Sequence, residues 1–168
     1  MAPLQASAVE TVGLFNGDNM RFALELTNGA GMATVTYSDG ITIDLTPPMV
    51  RNMRIRAGNK SIDSAERAVI NETSLDITVN VAASDFESGL RLVKMAMGTY
   101  PGADDLVPWR KMNMSTNSYG IIVSDVQLQY QRRYYISCRA FNFAGHRTSP
   151  TSAALITDNT PPLAGSIV

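Results

Sequence analysis

The sequence predicts an all-β chain folded as an antiparallel β-sandwich, and three observations carry that expectation. Apolar and polar residues alternate over several short stretches, the period of half-buried strands. Turn residues separate those stretches. The chain also repeats itself. In order, Leu75, Ile77, Val79 and Val81 alternate with Asp76, Thr78 and Asn80. Val93, Met95 and Met97 alternate with Lys94 and Ala96. Tyr134, Ile136, Cys138 and Ala140 alternate with Tyr135, Ser137, Arg139 and Phe141. Further strands are expected near 51–57, 106–113, 119–124 and 150–157. Glu87-Ser88-Gly89, Tyr100-Pro101-Gly102 and Asn142-Phe143-Ala144-Gly145 carry turn chemistry. Ser64 to Ala68 reads as a single helical turn, and nothing supports a long helix. About seven short strands spaced by turns fit a sandwich.

The repeat organises the chain. Thr46-Pro47-Pro48 recurs as Thr160-Pro161-Pro162, 114 residues on. The same offset carries Val9, Val12, Leu14, Asn28, Ala30 and Gly31 onto Val123, Val126, Leu128, Asn142, Ala144 and Gly145. It also carries Thr34, Ser38 and Asp44 onto Thr148, Ser152 and Asp158. Twelve ungapped identities that include turn residues point to true repetition. Residues 48–161 are expected to form one complete unit. Residues 1–47 would be the C-terminal strands of a preceding, truncated one, and 162–168 the start of a following one. In the preceding copy, Met20, Phe22, Leu24 and Leu26 would line a core whose other half is missing. The paired prolines fix φ and push each preceding residue towards extended backbone, which predicts a semi-rigid connection between units.

Composition narrows the function classes. The 168 residues are 45% hydrophobic and 17% charged, which suits a globular chain. Fourteen Lys and Arg against fifteen Asp and Glu leave a net charge of −1, so no long-range field favours nucleic acid. One cysteine allows no internal disulfide and no Cys-based zinc site, and one histidine allows no multi-His metal site. No stretch approaches the ~20 consecutive apolar residues of a membrane span, so no membrane insertion by this segment is expected.

The residues around Tyr134 carry a resemblance. Leu128 stands six residues before Tyr134, and Ile136, Cys138, Ala140, Asn142 and Gly145 follow in an ordered pattern. This resembles the F strand of fibronectin type III-like domains. Asp85-x-Glu87-Ser88-Gly89-Leu90, Gly98-Thr99-x-Pro101-Gly102 and Ser38-Asp39-Gly40-x-x-x-Asp44-x-Thr46-Pro47-Pro48 are similar to signatures of large multi-repeat extracellular proteins with such domains. The resemblance implies an immunoglobulin-like sandwich with a tyrosine corner, in which the Tyr134 hydroxyl bonds upstream backbone. It departs from the family in two places. The second strand lacks the tryptophan many members carry, the single one being Trp109, and Met20 stands where Tyr134 does in the earlier copy.

Candidate sites are few, and each has a structural reading. Gly29-Ala30-Gly31 precedes a strand rather than a helix, so it reads as a hairpin turn and not as a phosphate loop. Cys138 reads as a small buried hydrophobe and His146 as a solvated loop residue. Asp85 with Glu87, and Asp104 with Asp105, read as turn carboxylates, without the six to eight oxygens calcium takes. Arg54 and Arg56, and Arg132 and Arg133, read as charged strand edges. Asn59, Asn71 and Asn113 open N-x-S/T sequons and are glycosylation candidates. Tyr135, Arg139 and Phe141 point away from Ile136 and Cys138, and form the possible partner-contact face. No catalytic, cofactor-binding or metal-binding residue is assigned.

The expected role is non-catalytic, with no cofactor. The segment would be a structural and adhesion module, a spacer in a tandem-repeat protein that is extracellular or at the cell surface. Its partners would be neighbouring repeats and cell-surface or matrix proteins or glycans. The alternative is an accessory spacer or binding segment of a secreted glycan-active enzyme.

Overall fold

Strands, turns and loops, without a helix, make up the described residues of the computed structural model: 13–116, 118–161 and 165. Val9 and Val12 lie outside them, as does the expected start of a following unit at 162–168 apart from Gly165. The chain divides into two compact units, Met1–Thr46 and Pro47–Val168.

The first unit holds β1 (Asn19–Met20), β2 (Ala23–Thr27), β3 (Ala33–Tyr37) and β4 (Ile41–Thr42). β1 pairs with β4 and β2 with β3, both antiparallel. Gly29-Ala30-Gly31 turns the β2–β3 hairpin, with Gly31 at φ +80°.

The second unit runs β5 (Met49–Ala57), β6 (Lys60–Asp63), β7 (Ala68–Ile70), β8 (Ser74–Ser84), β9 (Leu90–Gly98) and β10 (Val107–Lys111). It continues with β11 (Asn113–Ser115), β12 (Ser118–Gln127), β13 (Arg133–Asn142), β14 (Arg147–Thr148) and β15 (Leu155–Thr157). One sheet has the order β11-β12-β8-β5-β6. The other has β10-β9-β13-β15-β7, with β14 also on β13. All pairings are antiparallel except β15 with β7. One apolar cluster draws Ile55, Ile77, Val79 and Val81 from the first sheet and Val93, Met95, Met97, Ile136 and Cys138 from the second. The architecture is all-β with antiparallel sheets, compatible with a β-sandwich.

Several expected elements differ. Ser64 to Ala68 forms no helical turn. Asp63 closes a tight turn there, its carbonyl accepting from Glu66 N–H and its carboxylate from Ala65 N–H, and Ala68 already begins β7. The 119–124 strand extends to 118–127 through a bulge. Val123 faces Ile77 and Val126 faces Leu75, so Ser124 and Asp125 together oppose Asp76. The extra residue lets Val123 and Val126 both bury although they are three apart. A second bulge sets Asn52 and Met53 against Val81. Asn52 and Asp125 have φ of 51° and 54°, and Asn and Asp are residue types that tolerate the left-handed region.

The two units repeat each other in geometry. The register Asn19↔Thr42 and Met20↔Ile41 recurs as Arg133↔Ile156 and Tyr134↔Leu155. Gly17 N–H donates to Ile43 O at 2.7 Å, and Gln131 N–H to Thr157 O at 3.0 Å. Ser38 N–H donates to Phe22 O while Phe22 N–H donates to Ser38 Oγ. Ser152 and Ile136 exchange the same two bonds. Asn28 Oδ1 accepts from Met32 N–H, and Asn142 Oδ1 from His146 N–H. Asp44 accepts from the N–H and hydroxyl of Thr46, and Asp158 from those of Thr160. Every one of these pairs is separated by 114 residues.

Candidate contact face

The core-facing residues of β13 fix what its other face presents. Tyr134, Ile136, Cys138 and Ala140 are buried, so Tyr135, Ser137, Arg139 and Phe141 stand on the opposite side. Tyr135, Arg139 and Phe141 are each half-buried. Ser137 is buried because the loop after β9 folds over it: its Oγ accepts from Gly102 N–H at 2.9 Å and meets Thr151 Oγ1 at 2.9 Å. That loop needs Gly98. A Cβ there would lie 2.5 Å from the Ala103 Cβ and 2.7 Å from its carbonyl carbon, so only glycine admits the close approach.

The register adds partners that the sequence reading does not join to this face. Arg139 lies opposite Lys94 on β9, and Lys94 lies opposite Lys111 on β10. Phe141 sits between Leu92 on β9 and Arg147 on β14. The Arg139 guanidinium stacks on the Trp109 ring, 3.8 Å from its centroid. Arg139 thus pairs with Trp109, which is remote in sequence. Alternation alone could place Lys94 and Arg139 outward, but not side by side.

The remaining candidates occupy other positions. Cys138 is fully buried, and loss of hydration pushes its thiol up to about 12. His146 is exposed, in the turn opened by Asn142. The Asp85 carboxylate caps its own turn, accepting from Ser88 and Gly89 N–H, and meets the Asn142 amide at 3.2 Å. Glu87 is half-buried, and Asp104 is exposed. Asp105 accepts from the hydroxyl and N–H of Thr99, which holds its carboxyl below the ordinary value. Arg54, Arg56, Arg132 and Arg133 are exposed. Arg54 and Arg56 belong to the opposite sheet on β5. Asn59, Asn71 and Asn113 are all exposed: Asn59 lies in the β5–β6 turn, Asn71 between β7 and β8, and Asn113 at the start of β11.

An open groove of about 640 Å³ lies elsewhere, lined by Arg51, Asn52, Phe86, Leu90, Met114 and Tyr119 among others. Phe86 and Met114 are strongly exposed there. No known protein family, curated protein or solved structure matches the chain.

Proposed function

We propose that the chain is a non-catalytic structural and adhesion module of a tandem-repeat extracellular or cell-surface protein, built of fibronectin type III-like units. On this reading residues 48–161 are one complete unit, 1–47 the end of the unit before it, and 162–168 the start of the next. The observation that carries the reading is the hydrogen-bond pattern shared by the two units at a 114-residue offset. A chain that rebuilds one structural unit gains reach and multivalency, as a spacer or tether does. The strand orders β6-β5-β8-β12 and β10-β9-β13-β15 support the type III-like assignment. So does the bond between the Tyr134 hydroxyl and upstream backbone.

The mechanical role has a direct test. A multi-unit stretch of the parent chain is pulled end to end at the single-molecule level. Equal steps are expected, each releasing roughly 380–400 Å of contour for one 114-residue repeat, before subtracting the folded length. Unequal steps, or extension without discrete unfolding, would refute the array of independent units.

A further inference from the structure

We propose that the outer face of β9, β10, β13 and β14 binds an acidic polysaccharide through Lys94, Lys111, Arg139 and Arg147. The inference deepens the contact role proposed above and rests on it. Lys111, Lys94 and Arg139 face one another across three neighbouring strands. Adjacent strands are ~4.8 Å apart, so three cations share a strip ~10 Å wide. Like charges directly opposite destabilise a sheet. Among the described residues none of these side chains, nor that of Arg147, has an ion pair or hydrogen bond to offset the repulsion. Packing does not account for the row either, since Lys94 is half-buried and Lys111 and Arg147 are exposed. Such a local conflict marks a site whose compensation lies outside the free molecule.

The geometry favours a particular partner chemistry. Stacking on Trp109 holds the Arg139 guanidinium in place while its charge persists, which lowers the ordering cost of binding an anion. Phe141, between Arg147 and Leu92, and Tyr135 provide half-buried aromatic surface on the same face, suited to the apolar faces of sugar rings. Backbone groups of β9 and β13 are committed to the sheet ladder. Over β9 and β13 an acidic peptide would therefore find no free edge for main-chain pairing, which β10 offers at the rim, whereas a glycan lying across the strands needs none. The whole chain carries a net charge of −1, so attraction to a polyanion would come from this patch and not from a global field.

The test uses the whole chain with a sulfated heparin-type dodecasaccharide, a hyaluronan oligosaccharide, neutral dextran and polyglutamate as probes. Trp109 is the sole tryptophan, so its emission reports on the patch directly. Binding to at least one acidic glycan at about 20 mM salt is expected, weakening as salt rises, with a change in Trp109 emission and no binding to dextran. The K94Q/K111Q variant should bind about tenfold or more weakly, with a shallower salt dependence. Its thermal midpoint should stay level or rise, because a like-charge pair is gone. The R54Q/R56Q variant makes the same charge change on the opposite sheet and should bind as the parent does. Absence of glycan binding at low salt, equal weakening by R54Q/R56Q, or tighter binding of polyglutamate would each overturn the proposal. If K94Q/K111Q does not fold, unchanged Trp109 emission on glycan binding to the parent protein would do so. None of these outcomes bears on the pulling experiment, so failure of the patch leaves the spacer reading standing.

Discussion

The Tyr134 hydroxyl accepts a hydrogen bond from the Gln129 backbone N–H at 2.7 Å, with the tyrosine buried and Leu128 buried beside that N–H in sequence. The bond ties the start of β13 to the connection that crosses from β12. Without the hydroxyl, Gln129 N–H loses its acceptor in a partly buried place. Tyr134→Phe should therefore destabilise by about 1–2 kcal/mol in a denaturant titration. An unchanged midpoint would mean that the bond contributes nothing.

Gln131 has φ of 54°, and its repeat-equivalent is Gly17 at φ 89°. Both N–H groups make the corresponding bond, to Thr157 O and Ile43 O. A left-handed conformation costs an L-residue about 1–2 kcal/mol, while glycine's extra freedom in the unfolded chain costs about 0.4–1 kcal/mol. Gln131→Gly should thus leave stability level or raise it by up to about 1.5 kcal/mol. Gln131→Val, β-branched, should lower it by more than about 1 kcal/mol. Equal midpoints for the two variants would argue against the left-handed conformation at 131.

These relations also mark what was legible from sequence. The 114-residue offset follows from twelve ungapped identities along the chain, and the Asn142 turn and the inward row of β13 from turn chemistry and period-2 alternation, both local signals. β6 and β7 were missed because three- and four-residue strands carry too little alternation to register. The end of β12 was missed because the bulge at Ser124 and Asp125 breaks the period while the strand continues. On the contact face, Tyr135, Arg139 and Phe141 were readable as one side of a strand. The row Arg139–Lys94–Lys111 and the Trp109 stack depend on cross-strand register, set by long-range pairing that no short window contains.

Cys138 is fully buried, and burial raises its thiol from 9.0 to about 12. In the unfolded chain the thiol ionises near its ordinary value, while the folded protein keeps the proton. Between pH 9 and about 12 the folded state therefore binds more protons, and stability falls as pH rises through that window. Lysines and tyrosines titrate there too, so the comparison is with Cys138→Ala. The parent protein should be the more stable at pH 7, and its advantage should shrink above pH 9. A gap that stays constant from pH 7 to 10 would contradict the buried-thiol account. Thiol reagents at pH 8 should label the folded chain far more slowly than the denatured one.

The last expectation concerns the same position in two copies. Ile136 is 0% exposed, whereas its repeat-equivalent Phe22 is 64% exposed. Leu24 and Leu26, at 55% and 56%, contrast in the same way with the fully buried Cys138 and Ala140. The local bonds are the same in both copies, since Phe22 and Ser38 exchange the pair that Ile136 and Ser152 exchange. What differs is the cover. In the second unit Ile136 packs in one cluster with Ile77 and Val79 of the other sheet. Backbone geometry alone stabilises a two-stranded piece only marginally in water. Ile136→Ala should therefore cost about 2–5 kcal/mol, and Phe22→Ala within about 0.5 kcal/mol of nothing. Amide exchange gives an independent measure: the N–H groups of β2 should exchange orders of magnitude faster than those of Ile136 to Ala140. Comparable protection in the two copies would show that Phe22, Leu24 and Leu26 are covered after all.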